Sequence, residues 1–338
     1  MSQCCGAHNY PYRTSPRKTL HRITAIIAAA FIAAPALAAD WAPSKPVRFI
    51  VGFPPGGATD LVARILQPKL SASFGNQVIV DNRPGANSVI AMQILSRAEA
   101  DGHTVGMSHI GSMVVSPAIQ KVPYDPMKDF THIGMLVTLQ NILITHPSMP
   151  AKNINEFIAY AKSQPGKVNY ATSGIGSPGH LAVELFEGLT GVTLNHVPYK
   201  GGGPAITDLI AGHVPSFMAV ISTAVPHVQS GKARALGVTG AKRAEALPDV
   251  PTISEAGVKG YLAINWYGLS APPKTPPAVV ARLSKDFTAA LNAPDVIKQL
   301  KARGIDSAPS SGSDYTKFII KEQERWVPVI KRAKIEAN

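Results

Sequence analysis

The sequence predicts an α/β protein of two lobes with a ligand cleft between them, and three observations carry that prediction. From residue 46 onward, short apolar runs alternate with amphipathic segments, the βα rhythm of a mainly parallel sheet covered by helices. Glycine-rich turns recur where a strand hands over to a helix, at 52–57, 173–179 and 199–203. The rhythm breaks once, after Pro126, where two strand-like pieces at 132–138 and 141–145 precede a new βα series. The economical arrangement takes the chain out of the first lobe near 142 and back near 262. Residues 39–141 and 263–338 then form lobe 1, and 142–262 form lobe 2. Two crossings make a hinge, and hinged lobes can clamp a ligand.

The elements follow in order. The segment 47–51 is nearly continuous in apolar residues, as a strand buried on both faces should be. Leu61, Val62, Ile65, Leu66 and Leu70 form one helical stripe, and Pro68 is expected to kink or shorten that helix. A strand at 78–80, a turn at 82–85, a helix at 89–98 and a short strand at 104–108 complete the first series. Asn153, with Glu156 three residues later, resembles a capping box opening a helix through Ala161. Strands at 168–172, 194–198, 216–221 and 233–238 alternate with helices at 180–189, 204–211 and 223–230. A further strand lies near 265–269, prolines 272, 273, 276 and 277 mark an exit loop, and the C-terminus is helical in two pieces around 307–313.

Composition narrows the function. With 338 residues, 45% of them hydrophobic, the chain can build one or two ordinary cores and is not a disordered polymer. Arg13, Arg17, Lys18 and Arg22 precede an apolar run at 23–37 that ends in Ala36-Leu37-Ala38, so residues 1–38 read as a secretory signal cleaved after Ala38. That run is shorter than the ~20 residues a spanning helix needs. Both cysteines, Cys4 and Cys5, lie in the signal, which excludes disulfides, thiolate metal sites, cysteine nucleophiles and a lipid anchor from the mature chain. The mature chain keeps 29 basic against 21 acidic residues, a balance that favours anionic ligands. Those cations are scattered and aromatics are 7%, which argues against nucleic-acid binding.

Several constellations could carry chemistry. In Phe53-Pro54-Pro55-Gly56-Gly57-Ala58-Thr59-Asp60, free backbone N–H groups and the positive end of a helix dipole would hold a carboxylate, with glycines allowing close approach and positive φ. The alternative is a plain βα turn with Thr59 or Asp60 as N-cap. Gly174-Ile175-Gly176-Ser177-Pro178-Gly179 matches the dinucleotide fingerprint, which would make a nicotinamide-dependent enzyme the rival reading. That fold wants an acid about 20 residues on, and Leu194-Asn195-His196-Val197 offers none. A small ligand held by backbone amides and the Ser173 and Ser177 hydroxyls fits better. No GxSxG elbow, HExxH or P-loop is present, so neither catalysis nor a cofactor is expected. His180 and Glu184 lie one helical turn apart, a spacing open to a metal pair or an ordinary surface pair, and no metal site is expected. Ser108 and His109 end a strand, where His109 either faces the cleft or packs in the core. Tyr199-Lys200-Gly201-Gly202-Gly203 repeats the strand, loop and helix logic; Lys200 neutralises a second carboxylate or is simply solvated. Trp266 stacks on a ligand or fills the hinge.

An ordered set of motifs resembles the Bug-type (TctC-like) solute-binding proteins of tripartite tricarboxylate transporters, from about Trp41 to Trp326. It includes Val51-Gly52-Phe53-Pro54-Pro55-Gly56-Gly57, Asn82-Arg83-Pro84-Gly85, Tyr124-Asp125-Pro126 and Pro165-Gly166-Lys167. His196-Val197-Pro198-Tyr199-Lys200-Gly201 and Leu247-Pro248-Asp249-Val250-Pro251-Thr252 continue it. The resemblance implies a periplasmic Venus-flytrap protein of type II-like architecture that passes an organic carboxylate to membrane permease subunits, or in some members to a sensor kinase. It implies that the first Gly-rich loop and the 173–177 loop bind one carboxylate, largely through backbone groups and ordered water. The expected contacts are Phe53, Pro54, Gly56, Gly57, Ala58, Thr59, Ser108, His109, Ser173, Gly174, Gly176, Ser177, His180, Tyr199 and Lys200, in a monomer. His103 and His109 depart from the family pattern, where a tyrosine or aliphatic residue and then a small polar one are commoner, and this leaves the ligand open.

Overall fold

In the computed structural model, the described residues are 41–336, together with residues 9 and 11. The secretory signal expected over 1–38, with its cleavage point, lies outside that continuous range. The chain begins β1 (Val47–Val51), α1 (Ala58–Phe74), β2 (Val78–Asn82), α2 (Val89–Ser96), β3 (Thr104–His109) and α3 (Ser116–Ile119). After β4 (Thr131–Thr145) come α4 (Ile154–Ser163), β5 (Asn169–Thr172), α5 (Pro178–Thr190), β6 (Asn195–Pro198), α6 (Gly202–Ile210), β7 (Ser216–Val220), α7 (Ile221–Gln229) and β8 (Arg234–Val238). The chain closes with β9 (Ile264–Ala271), α8 (Pro277–Leu291), α9 (Pro294–Lys301), β10 (Ile305–Ser307) and α10 (Gly312–Arg332).

These strands form one path, β2-β1-β3-β9-β4-β7-β5-β6, with β8 and β10 also paired to β4. The two strand pieces expected at 132–138 and 141–145 are a single strand, β4. Its first part, Thr131 to Gln140, pairs with β9, and its last part, Asn141 to Thr145, pairs with β7 and β8. Register shifts at 132–134 and 135–137 bend it on the way, as bulges do. The sheet is mixed: β1, β2 and β3 run parallel, as do β5, β6 and β7, whereas β9, β4, β8 and β10 introduce antiparallel pairs. Asn153 Oδ1 accepts the Glu156 N–H at 2.9 Å, so the N-cap half of the capping box forms, while Glu156 reaches back to the Lys152 N–H at 2.7 Å. α1 continues past Pro68 to Phe74.

One core joins Val47, Phe49 and Val51 of β1 to α1, α8 and α9, and another joins β7 to α6 and α7. A third spans both halves of the sheet, from Met92 and Leu95 of α2 through Leu143 and Phe186 to Trp266 and Trp326. Trp266 is fully buried and donates its indole N–H to Glu322 at 3.0 Å, so it belongs to this core. A polar thread crosses the interior beside it, from the Tyr315 hydroxyl to Ser108 (2.8 Å), Ser270 (3.1 Å) and His132 Nδ1 (3.0 Å), with His132 Nε2 reaching the Pro126 carbonyl (3.0 Å). Every member has a partner, which is the condition for burying polar groups cheaply.

Burial holds His109 down at about 3 and His132 at about 4; burial, then the neighbouring His180, holds His196 at about 3. Each lies below its unfolded value near 6.5, so the unfolded chain takes up protons that the folded chain refuses. Stability is therefore complete above that value and falls as pH drops below it. Glu187, pushed up by burial to about 7, acts in the opposite sense and offsets one proton. With a net excess of about two protons in the unfolded state near pH 5, the unfolding free energy should fall by roughly 3 kcal/mol per pH unit there. Urea titrations between pH 7 and 5 measure this, and a flat profile would mean that these rings are protonated inside the fold.

Candidate ligand-binding site

A cleft opens where the N-terminal turns of four helices meet. Gly57, Ala58 and Thr59 come from α1, Pro178 from α5, Gly202, Gly203 and Pro204 from α6, and Thr223 from α7. The first amides of a helix have no intrahelical acceptor, and each such end carries about half a positive charge. In α1 the ladder starts with Leu61 N–H to Gly57 O at 2.9 Å, so the amides of Ala58, Thr59 and Asp60 precede it. Neither an acidic side chain nor a lysine or arginine lines the cleft. Its positive character comes from peptide groups alone, and its natural complement is a small anion.

The first loop is braced from below. Asp60 Oδ2 accepts the Gly56 N–H (2.9 Å) and Arg64 Nε (2.8 Å), and Asn82 Nδ2 donates to Asp60 Oδ1 (3.0 Å) and to the Phe53 carbonyl (3.0 Å). Burial opposes ionisation of Asp60, but the hydrogen bonds from Arg64, Gly56 and Asn82 outweigh it and hold the carboxyl below its ordinary range. The N-cap is Gly57, without a side-chain cap, so neither Thr59 nor Asp60 plays the capping role a plain turn would give it. Positive φ is needed at Gly56 (+84°), while Gly57 is extended at −77°.

The second loop is braced by histidine. Ser177 Oγ caps α5 by accepting the His180 N–H at 3.4 Å, and His180 Nδ1 accepts the Gly176 N–H at 3.0 Å. The far nitrogen of His180 meets Glu184 at 3.3 Å, and its ring stacks on His196 with centroids 4.0 Å apart. Asn87 Nδ2 donates to the Gly176 carbonyl at 2.9 Å and ties this loop to the 84–88 turn.

Of the residues expected from sequence, Phe53, Pro54, Gly57, Ala58, Thr59, His109 and Ser173 line the cleft. Gly174, Tyr199 and Lys200 line an adjoining cavity of about 620 Å³ that shares Phe53, Pro54 and Ser173 with it. Gly56, Ser108, Gly176, Ser177 and His180 line neither and are spent on the internal bonds just described. Lys200 is exposed on its wall. His180 and Glu184 stand without a third ligand; among the described residues no group of three histidine, cysteine or acidic side chains is placed to hold a metal. Sequence reasoning missed Asn265 and Tyr267, which line the cleft from β9 on either side of Trp266. The signal was available: side chains alternate along a strand, so a core-facing Trp266 turns both neighbours the other way.

At Gly201, φ is +121°, and an added Cβ would stand 3.3 Å from Pro54 Cδ, where the 199–203 turn approaches the first loop. Gly201→Ala should lower the unfolding free energy by about 1–3 kcal/mol. Urea titration reads this directly; a loss below about 0.5 kcal/mol would show that the turn does not require this backbone.

The family described as tripartite tricarboxylate transporter family receptor (TctC) matches residues 62–335. A protein of Pseudomonas sp. strain P51, encoded in the tcbD-tcbE intergenic region, is 37% identical over 300 residues, covering 88% of this chain and 89% of its own length. The R. palustris protein Rpa4515, solved with adipate, superposes with a TM-score of 0.84 at 34% identity, over 88% of this chain and 99% of that one. MatC of Rhodopseudomonas palustris, solved with bound malate, superposes at 0.80 with 32% identity, over 85% and 99%. The chain belongs to the TctC family of solute-binding receptors for tripartite tricarboxylate transporters.

Proposed function

We propose that the mature protein works in the periplasm as a monomeric, non-catalytic receptor that captures a small organic carboxylate and delivers it to membrane permease subunits. The observation that carries this reading is the meeting of four helix N-termini on a cleft whose lining carries no charged side chain, its histidine being held neutral by burial. Such a site suits a carboxylate and leaves a metal or an ammonium without a counter-charge. The relatives solved with adipate and malate support it, since both ligands are carboxylates. Among the described residues, no helix is long and apolar enough to cross a membrane. The dinucleotide alternative lacks its ribose-binding acid, because β6 reads Asn195-His196-Val197-Pro198.

In this proposal residues 39–141 and 263–338 form one lobe, 142–262 form the other, and closure traps the ligand. The hinge would lie where Asn141, Thr239 and Ala263 meet. A carboxylate at 100 times its dissociation constant should add about 2.7 kcal/mol of stability and reduce the radius of gyration. Thermal shift and small-angle scattering test the two parts, and absence of compaction at saturation would remove the closing motion. N-terminal sequencing of exported protein should begin near Ala39; a species retaining residues 23–37 would contradict the export reading.

Gly57→Val tests the first loop. A Cβ at Gly57 meets only the Pro54 carbonyl, at an ordinary 3.5 Å, and φ there is negative, so the fold should survive. A branched side chain at the helix end would crowd the ligand, weakening binding by about 100-fold, or ~2.7 kcal/mol. Calorimetry with circular dichroism as folding control decides it. Near-native affinity in a folded variant would rule out this helix end as the carboxylate site.

A further inference from the structure

The turn that enters α2 holds three consecutive non-glycine residues in the left-handed region, Ala86 (φ +46°), Asn87 (φ +51°) and Ser88 (φ +74°). There Cβ crowds the following carbonyl oxygen, and of the three residue types asparagine visits the region most readily. Such a run persists only where its surroundings over-determine it. Bonds inside the turn do not compensate, since Asn87 Oδ1 and Ser88 Oγ are buried without a partner among the described residues. Packing and one long-range bond hold it instead. Ser88 is fully buried against Gly52, where an added Cβ would collide with its hydroxyl, and Asn87 occupies the space that a Cβ on Gly111 would take, 2.5 Å from Nδ2. From there Asn87 Nδ2 donates to the Gly176 carbonyl at 2.9 Å, 89 residues along the chain. Gly176 itself packs on the same region, for a Cβ there would stand 2.7 Å from Val115 Cγ1. The segments flanking this bond, Pro84 to Asn87 and Ser173 to Ile175, both line the adjoining cavity, so the bond spans the gap between them.

We propose that Asn87 is a latch between the two lobes: its bond to Gly176 forms as they close, holds the strained 86–88 turn in place, and sets the balance between closed and open forms. This rests on the two-lobe reading and adds the contact that keeps the lobes together. The bond is made of protein atoms alone, so it needs no ligand to form. Ligand affinity then scales with the fraction of the protein that is latched, because the closed form is the one that encloses the ligand.

Amide hydrogen exchange on the ligand-free mature protein, read by mass spectrometry, tests this with two variants. Asn87→Gly removes the donor and accepts the left-handed backbone, so the protein should fold while exchange at residues 174–177 quickens about fivefold, the effect of one ordinary hydrogen bond. Ala86→Gly relaxes the same turn but keeps the donor, and exchange at 174–177 should stay within about twofold of the native rate. Quickening confined to 84–92 in Asn87→Gly, or equal quickening at 174–177 in both variants, would give Asn87 a local role and overturn the latch. Should Asn87→Gly not fold, Asn87→Asp takes its place with the same expected outcome, because it keeps the side chain's size but presents oxygen to the Gly176 carbonyl. Compaction of the native protein in the scattering test, with unchanged exchange in the Asn87 variant, would remove the latch alone. No compaction would remove the closing motion and the latch with it.

Discussion

The architecture depends on one strand changing partners halfway. β4 gives its first ten residues to β9 and its last five to β7 and β8, and at the changeover the Thr239 N–H donates to the Asn141 carbonyl at 2.9 Å. The Thr239 hydroxyl accepts the Asn141 N–H at 2.8 Å and donates to the Ala263 carbonyl at 2.6 Å, while the Ala263 N–H donates to the Thr239 carbonyl at 2.9 Å. A single buried threonine thus joins the outgoing strand, the returning chain and the start of β9. This junction lets two parallel strand sets, β1 to β3 and β5 to β7, bring the loops at their carboxyl ends to one place. Ligands of open α/β sheets bind at such carboxyl ends.

Within the site the chain divides its labour. Charge complementarity comes from helix ends, which need only backbone, whereas shape and rigidity come from side chains one layer removed. Asp60 and Asn82 fix the first loop, and His180 with Ser177 fixes the second, without any of the four lining the cleft. His180 performs this task because His196 stacks on it and Glu184 meets its second nitrogen. Such support holds the helix-end amides in place, which in the proposed site would keep the reorganisation cost of binding low.

Much of this was legible in the sequence, and the exceptions have physical causes. The β1 run and the α1 stripe were readable because burial imposes their periodicities, and the 153–156 capping box because its spacing is local. β4 read as two strands because Gln140 interrupts its apolar run just before the changeover. β10 escaped because Ile305-Asp306-Ser307 carries too few residues for a pattern and owes its existence to β4. The glycine turns were legible and the structure brings them to one cleft, yet a sequence does not distinguish a serine that caps a helix from one on a cavity wall, so Ser177 and His180 were expected on the wall, whereas they line neither cavity. Asn265 and Tyr267 were masked by the conspicuous tryptophan between them.

Peptide amides at helix ends have a further consequence for how such a receptor diversifies. In the proposed site the groups that would attract the anion are encoded by the fold and not by any one codon, so replacing a wall residue would alter which molecule fits without abolishing the attraction. A gene duplicate can therefore explore new ligands through single substitutions while each intermediate still holds some carboxylate. Had an arginine carried the charge, every path through its loss would cross a non-binding protein. The same design limits the repertoire: a cleft polarised by four helix N-termini resists conversion to cationic ligands, because no single side-chain change reverses its sign.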